Sequence, residues 1–74
     1  MPKLPVVSAK QLIKILENLG FAESRQKGSH KYFKHPDGRT TVVPVHPGRD
    51  IGRGLLRKII SEIEMTRDEF LKCL

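Results

Sequence analysis

Three histidines, His30, His35 and His46, are the side chains of this 74-residue chain best suited to moving protons. A histidine ordinarily titrates near pH ~6.5, so it serves as acid or base around neutrality. His30 stands among other useful groups. It follows Gly28-Ser29, and Tyr32 and Lys34 come next at alternate positions. Side chains alternate along a strand, so His30, Tyr32 and Lys34 share one face, while Lys31, Phe33 and His35 share the other. Phe33 is the natural core residue, which leaves the first three on an open face.

An imidazole, an aromatic ring and a cation on one surface suit cleavage of RNA. The 2′-hydroxyl is a built-in nucleophile, so no activated Ser or Cys is needed. The reaction needs a base for the 2′ proton, an acid for the leaving 5′ oxygen, and positive charge for the phosphorane. Tyr32 suits stacking on an unpaired base. The competing reading is structural: a histidine beside a turn is commonly a surface or capping residue, and Gly-Ser-His alone is a weak motif. His46 is a secondary acid/base candidate. It follows the third strand and approaches the second helix, whose N-terminal N–H groups favour an anion; packing on Pro44 or Pro47 is its alternative. His35, against Pro36, reads as an exposed hairpin residue.

Other chemistries find little support. The histidines lack zinc spacing, and there is no HExxH pair or P-loop. Carboxylates are sparse around the candidate site, where Asp37 and Asp50 read as turn and cap residues, so a two-metal nuclease is not expected. No metal or cofactor is called for. The one cysteine, Cys73, excludes an internal disulfide and reads as an exposed thiol near the C-terminus. That fits a reducing cytoplasm. No leader or membrane-length apolar run is read in the sequence, Met1-Pro2-Lys3-Leu4-Pro5-Val6-Val7 included.

The formal net charge of +6 is unevenly placed. Residues 25–58 hold nine Lys and Arg against only Asp37 and Asp50, while the remainder is slightly acidic. Such a concentration is the footprint of a polyanion partner. The candidate RNA contacts are Lys27, Gly28, Ser29, Lys31, Tyr32, Lys34, Arg49 and Arg53.

The elements that must position these residues can be read in order. Ser8-Ala9-Lys10-Gln11 has the form of a capping box, and Leu12, Ile13, Leu16 and Leu19 recur at helical spacing. Gly20 is a natural stop, which predicts a helix over 9–19. Strands are predicted over 21–26, 30–35 and 40–45. Lys27-Gly28-Ser29 and Pro36-Asp37-Gly38 form the turns between them. Pro44 lacks an N–H, so the third strand sits at an edge or ends there. Asp50 is positioned to cap a second helix, whose apolar stripe is Ile51, Leu55, Leu56, Ile59, Ile60 and Ile63. Thr66-Arg67-Asp68-Glu69 forms a second capping box and opens a short terminal helix. The expectation is an α+β two-layer sandwich, αβββα with a short C-terminal helix, in a single domain over 1–74. The helices cover one sheet face and the other stays wet. A chain this small has no room for a deep pocket, which favours a polymer substrate.

Several segments, taken in order, resemble the HicA (YcfA-like) family of small toxins from type II toxin–antitoxin pairs. They are Leu16-Glu17-Asn18-Leu19-Gly20-Phe21, Gln26-Lys27-Gly28-Ser29-His30, His35-Pro36-Asp37-Gly38-Arg39, Val43-Pro44-Val45-His46 and Gly54-Leu55-Leu56-Arg57-Lys58-Ile59-Ile60. The resemblance implies a fold like the double-stranded RNA-binding domain and metal-independent cleavage of mRNA. It further implies that His30 is catalytic and that a HicB-type antitoxin masks the toxin. One departure stands out: where the family often has glycine between its last helices, this chain has Glu64-Met65-Thr66. The alternatives are a non-catalytic RNA-binding module using the same basic face, and a protein-interaction domain for an acidic partner.

Overall fold

The computed structural model describes residues 4–74; Met1, Pro2 and Lys3, part of the stretch read as lacking a leader, lie outside them. The order is β1 (Val7–Ser8), α1 (Ala9–Asn18), β2 (Ala22–Lys27), β3 (His30–Lys34), β4 (Thr40–Pro44), β5 (Asp50–Ile51), α2 (Arg53–Glu62) and α3 (Arg67–Leu71). This is the expected α+β arrangement, a helix, a three-stranded antiparallel sheet and C-terminal helices, consistent with a double-stranded RNA-binding-domain-like αβββα order. β3 is the centre of the sheet, and β2 and β4 are its edges, so Pro44 lies on an edge strand where its missing donor costs no ladder bond.

Phe33, Thr41 and Val43 are buried on one sheet face, where Phe33 pairs with Thr41 and Lys31 with Val43. Leu12, Ile15 and Leu16 of α1, Leu56, Ile59 and Ile60 of α2, and Phe70 of α3 join them in one core. Each fully buried Leu, Ile or Phe contributes about 1.5–3 kcal/mol. The helices therefore cover the Phe33 face, as their apolar spacing requires.

Helix ends match the sequence reading with three exceptions. Ser8 caps α1 by accepting from the Gln11 N–H at 3.0 Å. Among the described residues the reciprocal Gln11 side-chain bond does not form, and Ser8 is also a strand residue paired with Asp50. Asp50 is not the cap of α2: it lies in β5, and Gly52 caps the helix without a side-chain bond. Ile51 is likewise a strand residue, buried by the pairing of β5 with β1 (Val7 opposite Ile51). This two-stranded ribbon escapes sequence pattern because two residues are too few to show alternation. The Thr66–Glu69 box forms in full. The Thr66 backbone N–H, donating to the Glu69 carboxylate, holds that group below the ordinary carboxylate range. Cys73 is half-buried against the core, with its thiol donating to the Glu69 carbonyl at 3.5 Å, so the expected exposed thiol is corrected.

α1 and α2 end in the same way. After α1, the Phe21 N–H bonds the Leu16 carbonyl at 2.9 Å and the Gly20 N–H bonds the Glu17 carbonyl at 3.1 Å. After α2, the Met65 N–H bonds the Ile60 carbonyl at 3.2 Å and the Glu64 N–H bonds the Ser61 carbonyl at 3.0 Å. Both are Schellman caps, which need a left-handed residue at the turning position. Gly20 meets that need at φ 99°, whereas Glu64 meets it at φ 57°, the one non-glycine with positive φ among the described residues.

Candidate functional site

The β2–β3 hairpin turns through Gly28-Ser29, since Lys27 pairs directly with His30. Gly28 has φ 59°, the Gly-first pattern of a type II′ turn, whose twist suits a tight hairpin. The Gln26 side chain donates to the Gly28 carbonyl at 3.0 Å, and the Val45 N–H donates to the Ser29 carbonyl at 2.6 Å. The turn is thus tied to both neighbouring strands. His30 is the first residue after it.

Because Phe33 faces the helices, His30, Tyr32 and Lys34 occupy the open face, as alternation predicts. Lys27 lies opposite His30, and Arg25 lies opposite Tyr32. The register of β2 shifts between Glu23 and Arg25, so Ser24 forms a bulge there. Without that extra residue, strict alternation from Ala22 would turn Arg25 toward the helices. With it, the Arg25 guanidinium sits 4.5 Å from the Tyr32 ring centroid, a cation–π contact. Arg25 was missed from the sequence because nothing about Ser24 announces a bulge. The bulge lies in β2 and so leaves the alternation of β3 intact.

His30 lines a groove of about 190 Å³ with Val42 and Pro44 of β4 and Leu55, Lys58 and Glu62 of α2. The open face meets α2 there, across the free edge of β4. Leu55, Lys58 and Glu62 recur at helical spacing and present one flank of α2 to the groove. Leu55 is 36% exposed despite its place in the apolar stripe. Glu62 is fixed from below: the Thr41 hydroxyl, on a residue only 2% exposed, donates to its Oε1 at 2.8 Å. The groove is smaller than the ~300–1,000 Å³ usual for enclosed small-molecule sites. It is a surface feature that a polymer can cross.

The remaining predicted residues lie elsewhere. Lys31 is on the helix-covered face, 3.5 Å from Glu23, and borders a second groove with Lys10, Ile13, Lys14, Glu17 and Val45. Arg53 donates from Nε to the Leu4 carbonyl at 2.7 Å, which ties the N-terminal segment to α2. Arg49 and His46 close an exposed turn through the Arg49 N–H and the His46 carbonyl at 3.1 Å. His46 does not line the His30 groove, and β5 separates its turn from α2.

His35 is not the exposed hairpin residue expected of it. Its side chain is 21% exposed, and its ring meets Phe21 edge-on at 5.0 Å between centroids. Its Nδ1 accepts the Asp37 N–H at 3.1 Å. Asp37 accepts from both the Arg39 N–H at 3.0 Å and the Arg39 Nε at 2.8 Å. That backbone bond first, then the guanidinium, holds the Asp37 carboxyl below the ordinary carboxylate range. Arg39 also donates to the Ile63 carbonyl at 2.6 Å and lies 5.1 Å from the Phe21 ring centroid. The His35–Arg39 hairpin is therefore a clasp joining the sheet to the ends of α1 and α2.

Among the described residues, no three His, Cys, Asp or Glu come together as a metal site, and no helix is long and apolar enough to cross a membrane. Comparison with known proteins gives one family: the model described as HicA toxin of bacterial toxin-antitoxin matches residues 9–65, from the start of α1 to just past α2. No curated protein matches the chain.

Proposed function

The chain belongs to the HicA toxin family of bacterial toxin–antitoxin systems, and we propose that it is an mRNA-cleaving endoribonuclease in which His30 moves a proton at the scissile phosphate. It acts in the cytoplasm and is held inactive by a HicB-type antitoxin. The observation that carries this reading is the placement of His30. Of the three histidines it alone combines a place on the basic open face with a groove that a polymer can enter. Arg25, Lys27 and Lys34 share that face with it, Lys27 directly opposite, and Tyr32, backed by Arg25, offers a ring for a base. Gly28 and Ser29 bring the hairpin backbone up beside the imidazole. Lys31, Arg49 and Arg53 lie away from this cluster and are secondary contacts.

The chemistry is an in-line transesterification. The 2′-oxygen bonds to phosphorus, the bond from phosphorus to the 5′-oxygen breaks, and protons move off the first oxygen and onto the second. The ends left are a 2′,3′-cyclic phosphate and a 5′-hydroxyl. Positioned proton transfer is worth ~10²–10⁴-fold in rate. His30→Ala should fold like the wild type and cut single-stranded RNA at least ~10²-fold more slowly, with the wild-type activity persisting in EDTA. An RNA carrying 2′-deoxy sugars should bind and stay intact. Wild-type protein that shifts RNA without shortening it is instead a binding module. His30→Ala cutting at the wild-type rate removes His30 from the site.

A further inference from the structure

We propose that Glu62 is the proton-transfer partner of His30, with Lys58 facing the phosphate between them; the inference rests on the ribonuclease reading above. His30 alone cannot complete the reaction in one step, because one proton leaves the 2′-oxygen as another reaches the 5′-oxygen. The second group must share the groove with His30. Three side chains that carry charge or titrate line it: His30 from β3, and Lys58 and Glu62 from α2. β4 adds only the apolar Val42 and Pro44 there, and the buried Thr41 hydroxyl beneath.

Each of the three is free for chemistry in a distinct way. Among the described residues, the side chains of His30 and Lys58 make no hydrogen bond or ion pair. The Glu62 carboxylate is held by one oxygen only, through Thr41, which aims the carboxylate and leaves Oε2 open as an acceptor. A buried hydroxyl spent on an exposed carboxylate fixes the position of a side chain that solvent would otherwise let swing. Lys58, one turn before Glu62, brings an ammonium to the same flank. The proton balance then closes. The Glu62 carboxylate takes the 2′-hydroxyl proton as the O2′–P bond forms. The His30 imidazolium gives its proton to the 5′-oxygen as the P–O5′ bond breaks. Lys58 stabilises the charge that builds on the non-bridging oxygens. Solvent returns both groups to their starting states.

The test is the pH dependence of kcat on a labelled single-stranded oligoribonucleotide, for the wild type, Glu62→Gln, Lys58→Ala, Lys58→Arg and His30→Ala. Glutamine keeps an oxygen for the Thr41 hydroxyl, so the fold is retained. Glu62→Gln should cut ~10²–10⁴-fold more slowly and lose the rise in rate on the acid side, which reports the base. Lys58→Ala should lower kcat more than it raises KM, and Lys58→Arg should restore part of the loss. A stability change would scale the rate without altering the profile, so a Glu62→Gln profile that keeps its acid-side rise overturns the role given to Glu62. Lys58→Ala at the wild-type kcat overturns the role of Lys58. If these variants cut normally while His30→Ala does not, this inference alone fails; if His30→Ala also cuts normally, the ribonuclease reading at this site fails with it.

Discussion

Glu64 holds a glycine's position, and replacing it with glycine should stabilise the protein. The two Schellman caps share one hydrogen-bond pattern, yet Gly20 turns the first and Glu64, at φ 57°, turns the second. A left-handed conformation costs an L-residue with a side chain about 1–2 kcal/mol. Glycine removes that cost but loses about 0.5–1 kcal/mol through the greater freedom of its unfolded chain. The surplus is about 0.5–1 kcal/mol, with a small further gain from removing a carboxylate beside the negative end of α2. For a domain of this size that raises Tm by about 2–8 °C. Glu64→Asn separates the two contributions: asparagine tolerates the left-handed region and carries no charge, so it should recover part of the gain, while Glu64→Gln should recover only the charge component. The converse at the other cap is larger. Gly20→Ala must adopt φ 99° and place its Cβ 2.9 Å from His35 Nε2 in the clasp, so Tm should fall. Thermal unfolding followed by far-UV circular dichroism reads all four variants. A Glu64→Gly protein with an unchanged or lower Tm refutes the conformational argument.

Two further outcomes concern charged side chains. The Asp37 carboxyl is held below its ordinary value, so its contribution to stability is complete above its unfolded pKa of about 3.9 and is lost as pH falls through the lower folded value; the Tm gap between the wild type and Asp37→Asn should be present at pH 5 and close as pH falls below 4. Arg25, Lys27, Lys34 and Lys58 lie on or beside the open face, and four contacts at about 0.7 each in the salt slope should lower affinity for single-stranded RNA by roughly fiftyfold between 50 and 200 mM salt. Lys31→Ala, on the helix-covered face, should lower that slope by less than removal of any of these four when binding is followed by fluorescence anisotropy.

Much of the architecture was legible because it is written in local chemistry. Ser8 and Thr66 mark helix starts by side-chain capping, Gly20 marks a stop, and Phe33 alone among the β3 residues demands the core. That one residue settled which face His30 occupies. What escaped depends on pairing between distant segments or on an irregularity without a sequence mark. β1 and β5 pair across most of the chain and took Asp50 and Ile51 from the predicted second helix. The Ser24 bulge put Arg25 on Tyr32. Glu62 and Lys58 read as ordinary polar residues of an amphipathic helix, because their nearness to His30 exists only once α2 lies along β4.

The same separation explains how the family likeness divides into scaffold and site. Leu16–Phe21 builds the Schellman cap, and His35–Arg39 builds the clasp that holds Phe21 and the end of α2. Every distinctive side chain in those stretches has a partner in the fold: His35 has Phe21 and the Asp37 N–H, Asp37 has Arg39, and Arg39 has the Ile63 carbonyl. The Gly28–His30 stretch is different. Its backbone is tied down by Gln26 and Val45, but the imidazole it presents makes no hydrogen bond or ion pair among the described residues. The role proposed for His30 rests on this pairing of a tied backbone with an unengaged side chain, whereas His35, of the same residue type and five positions on, is engaged in the fold.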